Sequence, residues 1–282
     1  MLIGIFTGIS TTVGVLVCAL AGAFSNFSWL WILPACAVGG FLLLAGLWFL
    51  MMLIMAKCVD MDRPQEQDSL FYRRVITWTI DALVPLLQIH IKTEGVENIP
   101  TDGRFLLVCN HLHDTDPVVL LWAFRKSGLA FISKREVDSM FLIGPFLHKI
   151  LGQPINREND REALKTILNC IRLIKEDIAS VGVFPEGYIR DDHLLHPFRS
   201  GVFKIAQKAK VPVVVCTLRN THHIYANIPK LKPTEVELHL VGVIPAQELE
   251  GVTAVEVSHR VHRMMAEDLG PELVLPETEE NT

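Results

Sequence analysis

A histidine and an aspartate with four residues between them, His111 and Asp116, follow directly on the apolar run 105–109. An imidazole just past a strand can turn one ring nitrogen to a substrate while a nearby carboxylate holds the other. That is the arrangement of a general base with its orienting acid. The stretch 110–117 contains no serine or cysteine. The pattern therefore predicts direct activation of a substrate hydroxyl, without a covalent acyl-enzyme.

Two other interpretations of this stretch remain open. Asp116 followed by Pro117 is also typical of a helix start, with aspartate as the N-cap and proline in the first turn. His111, His113 and Asp116 also resemble part of a metallo-hydrolase motif, His-x-His-x-Asp-His. Two ligand positions of that motif are occupied by Thr115 and Asp116, which are the wrong residue types there. His113 is then most simply a neighbour of the site or a surface residue.

An arginine and a glutamate further along the chain are further candidates for ligand binding. Arg157 leaves a strand-like segment, where its planar guanidinium can bind a phosphate or form a surface ion pair with Glu158 or Asp160. Glu186 follows an apolar run in a Phe-Pro-Glu-Gly sequence. It can accept hydrogen bonds from hydroxyls or be a solvated turn residue. Gly187 tolerates a positive φ and the close approach of a ligand.

The elements that must position these residues are predicted by the pattern from Ile91 onward. Apolar runs predict strands, and helical patterns alternate with them: strands at 105–109, 130–133, 181–184, 213–217 and 236–243, helices at 118–124, 161–179, 201–210 and 253–269. Alternation of this kind predicts an α/β fold with a mainly parallel central sheet flanked by helices. Functional side chains in such sheets gather at the carboxyl ends of the strands.

Residues 1–56 contain no Asp, Glu, Lys, Arg or His. Two apolar runs, 2–24 and 29–56, are each long enough as helices to cross a hydrocarbon layer of about 30 Å. A transmembrane helical hairpin is predicted to precede the α/β domain. Pro34 and the Gly39-Gly40 pair keep open a second geometry, in which the hairpin dips into one leaflet. Lysine and arginine follow the second run and are absent from the turn, which places both ends in the cytoplasm.

The composition divides the chain into four parts. They are a membrane hairpin over 1–56, a juxtamembrane or interfacial segment over 57–90, a catalytic domain over 91–275 and an acidic tail over 276–282. The second part contains a predicted helix at 69–87 with Arg73 and Arg74. These arginines either meet anionic lipid head groups or form a solvated pair on a domain helix.

The charge and cysteine content argue against nucleic-acid binding, a disulfide framework and a zinc site. The net charge is −5 and no block of lysine or arginine occurs, so a nucleic-acid partner has no electrostatic footprint. The 6 cysteines are scattered and form no Cys-x-x-Cys pair. They are predicted to be reduced, in neither a disulfide framework nor a zinc site.

The order of four short motifs resembles that of the glycerolipid acyltransferases, and most closely the lysophosphatidate (1-acylglycerol-3-phosphate) acyltransferases. These motifs are His-x-x-x-x-Asp at 111–116, Asn-Arg at 156–157, Phe-Pro-Glu-Gly at 184–187 and Val-Pro-Val-Val at 211–214. The resemblance extends from about Val84 to the final helix at 253–269 and includes Lys134. Several ordered motifs are stronger evidence than any one of them.

The resemblance implies a role for each site residue. His111 would take the proton from the acceptor hydroxyl, and Asp116 would orient and stabilise the imidazolium. Arg157 would bind the acceptor phosphate, with Lys134 as a second cation. Glu186 and Gly187, on the turn after the third strand-like run, would position the glycerol.

The resemblance also implies transfer of a fatty acyl group to lysophosphatidate, giving phosphatidate for phospholipid biosynthesis. The donor would be an acyl thioester on coenzyme A or on acyl carrier protein, and no metal or redox cofactor would be needed. The partners would be the lysophospholipid, the thioester and membrane lipids. The location would be the cell (inner) membrane, with the catalytic domain on the cytoplasmic face.

Two departures from the family pattern concern the acceptor. Tyr188 stands where the family usually has threonine, and the basic residue Arg190 is one place late. Another acceptor, such as glycerol 3-phosphate or a lyso-aminolipid, therefore remains an alternative. A metal-dependent hydrolase and a non-catalytic membrane scaffold are the alternatives from other functional classes.

Overall fold

A seven-stranded sheet forms the centre of the computed structural model, which describes residues 1–275. Its strands are β1 (Ile89–Glu94), β2 (Leu106–Cys109), β3 (Leu129–Lys134), β4 (Gln153–Ile155), β5 (Ser180–Val183), β6 (Val213–Arg219) and β7 (Thr234–Ile244). Their spatial order is β1-β7-β6-β2-β5-β3-β4. Neighbouring strands are parallel except for β6 and β7. The predicted α/β fold with a mainly parallel sheet is confirmed.

Helices cover both faces of this sheet. The α-helices of the described chain are α1 (Leu2–Leu20), α2 (Trp29–Lys57), α3 (Leu70–Leu86), α4 (Asp116–Ala123), α5 (Ile143–Lys149), α6 (Asp160–Lys175), α7 (Lys204–Ala209), α8 (His223–Asn227) and α9 (Ala254–Leu269). Successive strand residues point to opposite faces. On β2, Leu106 and Val108 pack with α6, α7 and α9, whereas Leu107 and Cys109 pack with α4 and α8.

Two predicted helices are shorter than the sequence pattern indicated. The helix predicted over 161–179 ends at Lys175, because Asp177 adopts a left-handed backbone with φ 54°. The helix predicted over 201–210 is split into a 3-10 turn, Ser200–Phe203, followed by α7. The acidic tail at 276–282 lies outside the described residues, and the division of the chain into four parts stays a prediction.

The two N-terminal helices pack against each other as a hairpin. Both are long and apolar enough to cross a membrane. The first helix ends at Leu20, earlier than the predicted 24, and Gly22 in the following turn has a positive φ of 64°. The helices approach closely where small residues meet: a Cβ added to Gly40 would lie 2.9 Å from Ser10 Oγ.

The segment after the hairpin ties it to the domain. Arg73 on α3 donates to Asp68 Oδ2 at 2.5 Å and to the carbonyls of Leu129 and Ile150 at 3.1 and 3.3 Å. Its side chain is 12% exposed. Both interpretations of the arginine pair were therefore wrong for Arg73, which binds protein groups because α3 packs on the domain. Arg74 is exposed.

Candidate active site

The predicted site residues come together because they follow four adjacent parallel strands. They are His111 and Asp116 after β2, Lys134 at the end of β3, Arg157 after β4, and Glu186 and Gly187 after β5. These strands are neighbours in the order β2-β5-β3-β4. Since parallel strands end at one edge of a sheet, loops far apart in sequence meet there.

His111 and Asp116 form the predicted pair. His111 Nδ1 lies 2.9 Å from Asp116 Oδ2, and Asp116 is fully buried. The same carboxylate oxygen accepts hydrogen bonds from the backbone N–H groups of Leu112 at 2.6 Å and His113 at 2.9 Å. A carboxylate held in this way fixes the imidazole with Nδ1 protonated, so that Nε2 is free to accept a proton.

The alternative role of Asp116 as a helix N-cap is wrong. The N-cap of α4 is Thr115, and Asp116 is the first helical residue. The hydrogen bonds of Asp116 go back to the loop that carries His111 and not forward to the first turn of the helix. The carboxylate therefore shapes the histidine loop.

The His111 ring is also held from its face. It stacks on Phe184 with a centroid distance of 4.0 Å and an interplanar angle of 14°. Behind it, the buried Asn110 side chain accepts from Leu218 N at 2.7 Å and donates to Leu218 O at 3.0 Å. The end of β2 is thereby fixed to β6. Sequence analysis missed Asn110, although a polar residue directly after a buried strand is a signal that could have found it.

Glu186 bridges two loops. Its Oε1 accepts from His111 N at 2.8 Å, and its Oε2 accepts from His196 N at 3.1 Å. Burial raises the pKa of Glu186 to about 7, and the two amide hydrogen bonds oppose that rise. Both carboxylate oxygens are used within the protein, which gives Glu186 a positioning function in this geometry. Its predicted contact with the acceptor stays a prediction.

Arg157 and Lys134 line one cavity with His111 and Gly187, and this cavity has a volume of about 770 Å³. In the part of the chain that the structure describes, Arg157 has no carboxylate oxygen within 4.0 Å, so the predicted surface ion pair with Glu158 or Asp160 does not form. The Arg157 guanidinium lies over the Tyr188 ring at 5.1 Å. A partly buried guanidinium beside a histidine suits an anionic ligand.

The other end of the cavity is apolar and reaches the hairpin. Met52 on α2 lines it, together with Ile76, Ile80 and Leu83 on α3. Met52 belongs to a cluster that joins α2, α3 and α5. The cavity therefore combines a polar end at the histidine with an apolar end beside the predicted membrane segment, as an amphiphilic ligand requires.

The alternative metal site has no matching geometry. His113 Nδ1 lies 3.1 Å from Thr115 Oγ1, and its ring meets Tyr225 edge-on. Asp116 Oδ2 is already occupied by the histidine ring and two amides. Over residues 1–275, no three His, Cys, Asp or Glu side chains are grouped so that they could share a metal ion.

Residues 90–219 match the family described as Acyltransferase. This segment contains the four motifs at which the resemblance was found, so the resemblance is confirmed. This stretch of the chain is therefore similar to the acyltransferase family.

Curated relatives indicate which kind of acyltransferase this chain is similar to. The chain is 34% identical over 148 residues to the chloroplastic 1-acyl-sn-glycerol-3-phosphate acyltransferase of Brassica napus, covering 52% of this chain and 42% of the relative. It is 32% identical over 124 residues to the 1-acyl-sn-glycerol-3-phosphate acyltransferase of Bacillus subtilis, covering 44% of this chain and 60% of the relative. The matches thus span about half the length of these relatives.

A solved structure shares the fold. The 1-acyl-sn-glycerophosphate acyltransferase PlsC of Thermotoga maritima aligns with a TM-score of 0.57 at 23% identity. The alignment covers 70% of this chain and 79% of that one. Similarity at this identity establishes the fold and leaves the chemistry to be argued from the site.

Proposed function

We propose that this protein transfers a fatty acyl group from a thioester to the free hydroxyl of lysophosphatidate, giving phosphatidate. The observation that carries the proposal is the 2.9 Å contact between His111 Nδ1 and the buried Asp116, at the polar end of a cavity whose far end is apolar. The relatives from Brassica napus and Bacillus subtilis are named for acyl transfer to this acceptor class, which supports the proposal.

The reaction needs one proton transfer and one displacement. His111 Nε2 takes the proton of the acceptor hydroxyl while its oxygen forms a bond to the thioester carbonyl carbon. The carbon–sulfur bond then breaks, and the leaving sulfur takes the proton back from the imidazolium. The products are an ester and a free thiol, so His111 and Asp116 return to their starting states.

The protein contributes mainly orientation to this reaction. A thioester is already activated, so positioning and proton removal supply much of the catalysis. Asp116 and Phe184 fix the imidazole ring, and Glu186 fixes its backbone. The donor is acyl-coenzyme A or acyl carrier protein, and the proposal needs neither a metal nor a redox cofactor.

The two apolar N-terminal helices support a membrane location. We place α1 and α2 in the cell (inner) membrane and the α/β domain on its cytoplasmic face. Because α2 and α3 line the apolar end of the cavity, a fatty chain entering it would stay close to the bilayer. A lysophospholipid resides in the membrane, whereas the thioester arrives from the cytosol.

The test compares His111→Ala with His90→Ala, an exposed histidine on β1 that lies outside the cavity. Thiol release and phosphatidate formation are measured with lysophosphatidate and with each donor in turn. We expect His111→Ala to lose about 1000-fold in kcat and His90→Ala to match the wild type. Near-normal turnover by folded His111→Ala would reject the assigned base. Zinc or iron at stoichiometric levels in active protein would favour the hydrolase instead.

A further inference from the structure

Strand β6 extends past the end of its parallel neighbour β2. Pairing between the two strands ends at Cys109 and Cys216, whereas β6 continues beyond that pair. The Asn110 side chain takes the place of the missing strand, because it bonds to both the backbone N–H and the backbone C=O of Leu218. Asn110 directly precedes His111 in the chain. The position of Leu218 therefore determines where the loop that carries His111 begins.

The two residues on either side of Leu218 are held by α9. Leu218 packs with the cluster beneath α4 and α8, so Thr217 and Arg219 point to the opposite face of the sheet. Thr217 Oγ1 donates to Asp268 Oδ2 at 2.5 Å. Arg219 Nη2 donates to the carbonyl oxygen of Asp268 and lies 3.9 Å from its Oδ2. Asp268 therefore fixes β6 on both sides of Leu218.

The place of Asp268 in its own helix does not account for this carboxylate. Asp268 lies in the last turn of α9, which ends at Leu269. A negative charge at the C-terminus of a helix is unfavourable, because the helix dipole is negative at that end. The second carboxylate oxygen, Oδ1, lies 3.2 Å from His239 Nδ1 on β7. The contacts of Asp268 are thus directed to the sheet, which favours a role in fixing β6 over a role in stabilising α9.

We infer that Asp268 is a positioning residue for the reaction, and that it acts on His111 through the end of β6 and Asn110. The inference rests on the proposed function and adds to it a residue on the far face of the sheet. In the part of the chain that the structure describes, neither Asp268 nor residues 217–219 line the cavity that contains His111. Asp268 therefore acts on the substrate only through other protein groups.

The physical effect of losing Asp268 is a loosened start of the catalytic loop. Without the carboxylate, the end of β6 is released from α9, and Asn110 loses a fixed partner. His111 Nδ1 must keep its 2.9 Å distance to Asp116 Oδ2 while Nε2 faces the acceptor hydroxyl. A displacement of about 1 Å that originates far from the reacting atoms can lower a rate about 100-fold. The expected loss is therefore in kcat and not in substrate binding.

The first experiment compares Asp268→Ala with Asp268→Asn and with the control Glu248→Gln. Glu248 pairs at 2.6 Å with Arg260 on the same helix, so the control removes a different contact of α9. We expect Asp268→Ala to lower kcat about 30-fold, with KM for the acceptor and for the donor within about 2-fold of the wild type. Asp268→Asn keeps an acceptor for the Thr217 hydroxyl and should lose only about 5-fold. Glu248→Gln should match the wild type.

A double-mutant cycle tests the route through Asn110. In the Asn110→Ala background the connection between β6 and the catalytic loop is already broken, so adding Asp268→Ala should lower kcat by less than about 3-fold. A merely structural role of Asp268 would lower kcat by the same factor in both backgrounds. A full loss of about 30-fold in the Asn110→Ala background would overturn the route.

A second cycle leaves Asn110 in place. Thr217→Val removes one of the contacts of Asp268 and should lower kcat about 5-fold on its own. The same change should have almost no effect in the Asp268→Ala background, because the two residues act together. Equal losses from Thr217→Val in both backgrounds would show that Thr217 and Asp268 act independently, which contradicts the inference.

Amide hydrogen exchange gives a readout that does not depend on turnover. The backbone N–H of Leu218 donates to Asn110, and that of His111 donates to Glu186. In Asp268→Ala we expect peptides covering 106–113 and 216–220 to exchange about 10-fold faster, with β5 unchanged. Unchanged exchange in folded Asp268→Ala would overturn the inference, and so would an equal increase across β5, which indicates general loosening.

The outcomes separate this inference from the proposed function. Wild-type protein that acylates no acceptor would contradict the proposed function, while the exchange experiment would still decide whether Asp268 holds the start of the catalytic loop. Active wild-type protein together with unchanged kcat in Asp268→Ala would overturn the inference and leave acyl transfer intact.

Discussion

The loop that carries His111 and the pair formed by Arg157 and Tyr188 lie at the same edge of the sheet. The protein provides hydrogen-bond partners more completely for the first region than for the second. His111 is bonded to Asp116 and stacked on Phe184, and Asp116 Oδ2 accepts three hydrogen bonds. Arg157 has a buried donor without a partner, and Tyr188 is 38% exposed. Under the proposed function, the groups for proton transfer would be held in place by the protein itself, whereas the groups for recognition would gain their partner only when the substrate binds.

The strongest way to break this comparison is Asp116→Asn. The amide keeps the shape of the carboxylate, but its NH2 group favours the wrong tautomer of His111 or loses a loop amide bond. We expect kcat to fall about 100-fold or more, with little change in the KM of the acceptor. Steady-state kinetics measures both. A large rise in KM with unchanged kcat would show that Asp116 belongs to recognition and not to proton transfer.

Arg157→Gln tests the other side of the comparison. Removing the partly buried guanidinium should raise the acceptor KM about 30-fold and leave kcat within a few-fold of the wild type. Arg172→Gln is a suitable control, because Arg172 on α6 forms an exposed ion pair with Glu176. If Arg157→Gln lowered kcat and spared KM, the division between the two regions would be wrong.

Glu186 lies between the two regions, and its ionisation gives a pH test. The pKa of Glu186 is raised from 4.5 to about 7 by burial. The folded state therefore binds this proton more tightly than the unfolded state, and the free energy of unfolding should fall as the pH rises from about 4.5 to about 7.

Glu186→Gln should flatten this dependence and lower activity about 10-fold, since glutamine can accept only one of the two amide bonds. Thermal unfolding of detergent-solubilised protein across this pH range provides the measurement. Glu176→Gln, at the exposed residue that caps the C-terminus of α6, is the matched control. If the free energy of unfolding of Glu186→Gln still fell over this pH range, the dependence would belong to other titrating groups.

The smallest effect is expected for Lys134→Gln. Lys134 lines the cavity from the end of β3, whereas the cations that lie over the Tyr188 ring are Arg157, Arg190 and Arg199. Because Lys134 is a flexible ammonium at the edge of the cavity, its removal should raise the acceptor KM only about 3-fold. Initial rates over a range of lysophosphatidate concentrations would detect this, and an effect as large as that of Arg157→Gln would extend the recognition region to β3.

The sequence was most informative where local pattern and position coincide. The runs at 105–109, 181–184 and 213–217 predicted β2, β5 and β6 within about one or two residues, because buried parallel strands are continuous apolar segments. The spacing of His111 and Asp116 predicted their contact, since a short loop between a strand and a helix leaves few other geometries. Both successes depend on interactions within a few residues of chain.

The rest of the site depends on contacts over long sequence separations. The guanidinium carbons of Arg157 and Arg199 each lie 5.1 Å from the centroid of the Tyr188 ring, and the Asn110 side chain bonds to the backbone of Leu218. The buried Glu186 carboxylate accepts hydrogen bonds from the amide of His196 as well as from that of His111. Hydropathy and spacing carry no information about such pairs. A solvated glutamate in a turn and a buried glutamate that joins two loops therefore have the same sequence pattern.

The ion pair between Arg73 and Asp68 bears on how the domain can be handled outside a bilayer. Asp68 precedes α3, and Arg73 also reaches carbonyls of Leu129 and Ile150. A water-soluble truncation that starts at Leu70 would strand this guanidinium in the protein interior with no counter-charge, which is costly. A shortened chain that keeps this ion pair must therefore include Asp68 as well as α3.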